Sequence, residues 1–191
     1  MTKIERMLNI LLSIGGSENY DKAFELASNG EQSGCNNSKA LLAICYYYGC
    51  GCKKNVDEAL RLAKESADQG NKYGHLILGR ILYWKSGLSC RHDAIKHYMI
   101  AAEMELAEGL VTIGSMYIDG TSLPMDKKIG LEIMMKAADQ EYAPAYEQLG
   151  RCYEIGDGVP VNKSEARKWY QMAVDAGFTL SQKGLNRLGD S

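Results

Sequence analysis

The stretch AYEQLGRCYEIGDGVPVNKSEARKWYQMAVDAG, residues 145–177, decides the fold, because its pattern recurs when the chain is slid along itself by about 36 residues. Its anchor is a small residue after an apolar one, Leu149-Gly150. The same pair stands at Leu42-Ala43, Leu78-Gly79 and Ile113-Gly114, with spacings of 36, 35 and 36. Five positions before the anchor come Ser38, Gly74, Gly109 and Ala145, all small. Three positions after it come Tyr46, Leu82, Tyr117 and Tyr153, and eight after it Gly51, Gly87, Ser122 and Gly158.

The second half of each unit is as regular. Ala59, Ala94, Gly130 and Ala166 lie fifteen or sixteen residues past the anchors, and Ser66-Ala67, Ala101-Ala102, Ala137-Ala138 and Ala173-Val174 follow about two turns later. Small residues at such intervals place a thin stripe on one helix face, against which a neighbouring helix packs closely. Each unit is therefore a helical hairpin. The register extends outward to Met7, Gly15 and Ala23 at one end and to Ser181 and Leu185-Asn186 at the other. It predicts helices near 2–13, 20–29, 37–49, 55–69, 72–85, 92–104, 107–119, 127–140, 143–155, 163–176 and 179–188.

These residues resemble the Sel-one-like repeats, relatives of the tetratricopeptide repeats. That family's pattern is a small residue, Leu-Gly-x-x-Tyr, a Gly-x-Gly-Val turn, an Asp or Asn, and Lys-Ala leading to Ala-Ala-x-x-Gly. The match is fullest in Ala145, Leu149-Gly150, Tyr153, Gly156-Asp157-Gly158-Val159, Asn162, Ala166, Trp169, Tyr170, Ala173 and Gly177. The resemblance implies an all-α fold, a right-handed α-solenoid of about five hairpins, near 2–36, 37–71, 72–106, 107–142 and 143–177, with a capping helix in 178–191. The first unit departs most, with Gly30-Glu31 at the small pair and extra residues at 34–37, so its second helix is expected to be short or frayed. Some secreted members carry a Cys pair in each hairpin; this chain has Ala67 and Gly74, Ala102 and Gly109, or Ala138 and Ala145 there instead.

Composition narrows the function. With 22 basic against 24 acidic side chains in 191 residues, there is no basic excess of the kind that dominates nucleic-acid affinity. No apolar run approaches the roughly 20 residues of a membrane span. Lys3 and Arg6 before Met7 to Ile14 loosely imitate a secretory leader, but Glu5, Asn9 and Glu18 spoil it, so a cytoplasmic location with reduced thiols is expected.

Little chemistry is left over once the repeat is accounted for. His75, His92 and His97 fall at variable positions and are expected as separate, solvated side chains. Cys45, Cys50 and Cys52 lie near the loop of Cys90 and His92 in stacked repeats, and three thiols with an imidazole are a chemically sufficient zinc set. The spacing C-x4-C-x-C is not a usual zinc knuckle, so free cysteines and no metal are expected. The Gly49-Cys-Gly51 and Gly156-Asp-Gly158 turns lack the Lys-Ser/Thr and the preceding strand of a phosphate loop. No cofactor and no enzymatic activity are expected, a thiol- or metal-dependent enzyme being the remote alternative.

Function is sought instead on the first helix of each hairpin, which lines the concave side in this family's geometry. Positions around each anchor, once packing residues are removed, are Ile44, Tyr47, Tyr48, Tyr73, Arg80, Tyr83 and Trp84, then Glu108, Ser115, Ile118, Asp119, Glu147, Arg151 and Glu154. The first group is aromatic and the second partly acidic. Tyr, Trp and Arg dominate protein interfaces. The chain is thus expected to bind a protein partner, as a monomer or in a heterocomplex. The alternative is an antidote that occludes a cognate toxin domain.

Overall fold

The computed structural model describes residues 2–13, 20–32, 35–84 and 88–189, and among them it contains helices and turns but no strand. The helices are α1 (Lys3–Ser13), α2 (Tyr20–Gln32), α3 (Asn36–Tyr48), α4 (Val56–Asp68), α5 (Lys72–Trp84), α6 (Leu88–Glu103), α7 (Ala107–Asp119), α8 (Lys127–Ala138), α9 (Ala143–Ile155), α10 (Lys163–Asp175) and, after a 3-10 turn at Thr179–Ser181, α11 (Gln182–Leu188). The chain divides into two compact units, Met1–Met104 and Glu105–Ser191. The first holds α1 to α6, the second α7 to α11.

In three hairpins, α3 with α4, α7 with α8 and α9 with α10, the same devices set the ends. Asn55, Asp126 and Asn162 cap α4, α8 and α10, each side-chain oxygen accepting from the N–H three residues on, at 3.1, 3.0 and 3.1 Å. Their own N–H groups donate to the carbonyls of Tyr46, Tyr117 and Tyr153, at 2.9, 2.9 and 2.8 Å, which closes the loop between the two helices. The preceding helices end in left-handed caps at Gly49, Gly120 and Gly156.

The return turn to the next hairpin needs a left-handed residue at positions 70, 105, 141 and 177. Gly70 and Gly177 supply it without cost, at φ of 72° and 87°, whereas Glu105 and Glu141 are forced into it at 55° and 57°. The repeat geometry outweighs the local preference of glutamate.

Close helix approach explains the small positions. A Cβ on Gly114 would lie 2.8 Å from the Met134 Cγ and 2.9 Å from the Gly130 carbonyl, and one on Gly74 would lie 2.6 to 2.7 Å from Ala67 and Ser66. The second helix of the first hairpin differs from expectation: α2 runs a full 13 residues through Gly30. Gly30 faces the side chains of Ser38 and Ile4, so the missing Cβ makes room for the neighbouring helices while the helix continues. The sequence-expected α6 starts later than the observed Leu88, and the expected last helix is split by the 3-10 turn.

At the C-terminal end Tyr170 is the centre of a small core with Ala166 and Leu188, flanked by Tyr153 and Leu185. Its ring lies between Gly150 of α9 and Gly184 of α11, and its hydroxyl donates to the Glu154 carboxylate at 2.6 Å. Arg187 of α11 clasps the same carboxylate at 2.9 and 3.1 Å.

Candidate functional site

In the first unit the ends of α3 and α5 bring a cluster of rings together. Tyr47 and Tyr48 meet edge to face with centroids 4.9 Å apart, and Tyr83 packs against Trp84 at 5.7 Å and against Tyr98 of α6 at 6.3 Å. Cations tie the rings down. Arg80 donates to the Tyr48 hydroxyl at 3.1 Å, the Lys54 ammonium stands 5.6 Å from the Tyr47 ring centre, and the Arg91 guanidinium 5.2 Å from that of Tyr83. Burial pushes the Tyr47 and Tyr98 hydroxyls up, so both stay protonated phenols at neutral pH.

Two rings of this cluster reach solvent. Trp84 is 73% exposed and Tyr48 50% exposed, while Tyr47, Tyr83 and Arg80 are half-buried. Ile44 and Tyr73 belong elsewhere: at 1% and 4% exposure they are packing residues. The reason is that α3 is enclosed by α1, α2, α4 and α5, so the position one past the anchor has no open side. Only the last turn of α3 and of α5 carries side chains outward.

In the second unit the expected polar positions separate in the same way. Asp119 and Arg151 are exposed, Ser115 is half-buried, and Ile118 is buried at 2%. Glu108 is half-buried and engaged. Glu147 is half-buried, and desolvation raises its carboxyl despite the opposing pull of Arg151. Glu154 has a structural task, with its carboxyl held below the usual range by Arg187 and committed to Tyr170. Sequence spacing alone did not reveal Arg187, which lies 33 residues further on and reaches Glu154 only because α11 folds back on α10.

Four thiols are shifted away from activation. Cys45 and Cys152 are buried, and burial pushes them up to about 12 and about 11; Cys50 and Cys52 are raised for the same reason. A nucleophilic cysteine requires the opposite shift. Cys35, Cys45, Cys50, Cys52 and Cys152 are free, and the side chain of Cys90 lies outside the described residues. No group of three or more His, Cys, Asp or Glu among the described residues is placed to hold a metal ion. No helix among them is long and apolar enough to cross a membrane.

The histidines require a correction. His92 is exposed, but His75 and His97 are neither separate nor fully solvated: their Nδ1 atoms meet at 2.9 Å, and both rings are half-buried. Residues 22 apart become neighbours because α5 and α6 run antiparallel side by side, a relation that a search for close-spaced ligand motifs does not detect.

The sequence signature described as Sel1 repeat matches residues 37–71 and 143–178. A Sel1 repeat protein from Oxalobacter formigenes superposes with a TM-score of 0.71 at 25% identity, covering 80% of this chain and 62% of that one. An immunity protein from Pseudomonas aeruginosa superposes with a TM-score of 0.67 at 25% identity, covering 85% of this chain and 60% of that one. A protective antigen of uropathogenic Escherichia coli displaying an SLR fold gives a TM-score of 0.68 at 23% identity, covering 88% and 38%. This chain therefore spans less than two thirds of the length of each of the three.

Proposed function

We propose that this chain, a Sel1-like repeat protein with the all-helical solenoid fold of that family, is a non-enzymatic module that binds a partner protein through the aromatic cluster of its first unit. Sel1 repeat proteins generally bind protein partners. The observation that carries the reading here is the exposure of Trp84 and Tyr48 on a cluster whose other members are packed and bonded. An aromatic side chain already held in place loses little freedom on binding, so more of its burial appears as affinity. Tyr47, Tyr83 and Arg80 form the half-buried floor. Asp119 and Arg151 offer a separate polar surface in the second unit, with Glu147 beside it and Glu154 less available because of its bonds to Arg187 and Tyr170.

A second, more specific reading is that of an immunity protein that occludes a cognate toxin domain. It is favoured by the likeness to the Pseudomonas aeruginosa immunity protein, which extends over 85% of this chain. The raised thiols support the non-enzymatic part of the proposal, since none is prepared for nucleophilic attack.

Affinity purification from the native host separates the readings. An immunity protein recovers one toxin domain and neutralises it on co-expression, whereas a general adaptor recovers host regulators and protects against no toxin. Recovery of no protein partner under either condition would count against both.

A further inference from the structure

We propose that His75 of α5 and His97 of α6 form an acid-released clasp, a single Nδ1–H···Nδ1 hydrogen bond that ties the two helices together at neutral pH and opens when both rings are protonated. The geometry defines the bond. The Nδ1 atoms are 2.9 Å apart while the ring centroids are 5.2 Å apart, with only 29° between the planes. Face-to-face stacking would bring the centroids much closer than that for the same nitrogen contact. Each Nδ1 therefore lies near the line joining the two rings, and the lone pair of one meets the N–H of the other end on.

Proton counting then sets the behaviour. In the neutral pair one ring carries its proton on Nδ1 and donates, and the other carries its proton on Nε2 and accepts. The first added proton goes to the free Nε2 of the donor ring, which leaves the shared bond intact and strengthens it by charge. A second proton has to occupy the accepting Nδ1, so two N–H groups would face each other at hydrogen-bond distance and two like charges would be half-buried together. The rings then separate. The pair titrates as a coupled unit in two steps.

The surroundings favour the neutral forms. Burial is the largest influence on both rings and lowers both below the ordinary value of 6.5, and for His97 the neighbouring His75 and then Lys96 act in the same direction. Asp68 at the end of α4 opposes this for both rings, and Asp93 of α6 opposes it for His97, without reversing it. Because the folded values are depressed, the unfolded chain takes up protons first as pH falls. The contribution of the clasp is therefore present above about 6.5, survives uptake of the first proton, and is lost as the pH falls through the second step. The clasp stands independently of the docking proposal, although α5 also carries Arg80, Tyr83 and Trp84, whose placement depends on the same hairpin.

Histidine nitrogen spectra of the full chain, followed through a pH titration, test the bond directly. The expected result at neutral pH is one ring in the uncommon Nδ1–H form, with the pair titrating in two separated steps of which the second lies below the ordinary histidine value. In parallel, the melting temperature of the parent should exceed that of the His75→Gln/His97→Gln variant by roughly 2–4 °C at neutral pH, a gap that closes as the second step is passed. Two Nε2–H rings titrating independently at the ordinary histidine value, or a temperature gap that does not change with pH, would overturn the clasp. If the double variant fails to fold, the ring forms in the parent decide the matter.

Discussion

Replacing Gly150 by alanine probes the packing where a ring is wedged between two helices. A Cβ there would stand 2.7 and 2.8 Å from Cδ1 and Cε1 of Tyr170, closer than real Cβ contacts. The ring has no direction in which to retreat, because a Cβ on Gly184 would lie only 2.6 Å from its other edge and its hydroxyl is fixed on Glu154 at 2.6 Å. Alanine in a helix interior gains roughly 0.5–1 kcal/mol over glycine. Overpacking a full core costs about 1–3 kcal/mol. Overpacking wins, and Gly150→Ala should lose about 1–2 kcal/mol in urea denaturation, Gly150→Leu considerably more. Combining Gly150→Ala with Tyr170→Leu removes the obstructing ring, so the two losses should be sub-additive by about 1 kcal/mol. A Gly150→Ala variant more stable than the parent, or strict additivity in the double variant, would show that the close approach of α9 to Tyr170 is not what the glycine is for.

Three further outcomes follow from the repeat geometry and the buried thiols. Glu141→Gly should stabilise the second unit by about 1 kcal/mol, seen as a higher denaturation midpoint, because it relieves the left-handed glutamate that Gly177 avoids at the equivalent turn; an unchanged or lower midpoint would contradict the strain. Asn162→Ala should cost about 1 kcal/mol by removing the cap on the Glu165 N–H, and Asn162→Asp should preserve most of it. In the folded protein near neutral pH a thiol reagent should spare Cys45 and Cys152, which are buried and raised, and should react sooner with half-buried Cys35. All six cysteines should react after denaturation without reductant, which would fail if any were disulfide-bonded.

The hairpins were legible in the sequence because the small positions report a close helix approach that only small residues allow: Gly114 and Gly150 are read correctly without knowing their neighbours. The surface was harder to read. Ile44 and Tyr48 differ only in phase along α3, and what buries the first at 1% while leaving the second at 50% is the enclosure of α3 by several helices, which the repeat period does not encode. The same holds for the histidine pair and for Arg187 on Glu154. These contacts join residues 22 and 33 apart through the register of packed helices, and neither partner stands in a recognisable local motif.

The most direct test of the docking role is a paired measurement of melting temperature and partner affinity on Trp84→Ala and Tyr48→Ala, with the partner recovered from the native host. Because these rings are 73% and 50% exposed, their loss should change stability by less than about 1 kcal/mol. As anchors they should each carry about 2 kcal/mol of binding, a loss of roughly 30-fold in Kd. Affinity within about twofold of the parent for both variants, at unchanged melting temperature, would contradict the aromatic cluster as the binding surface.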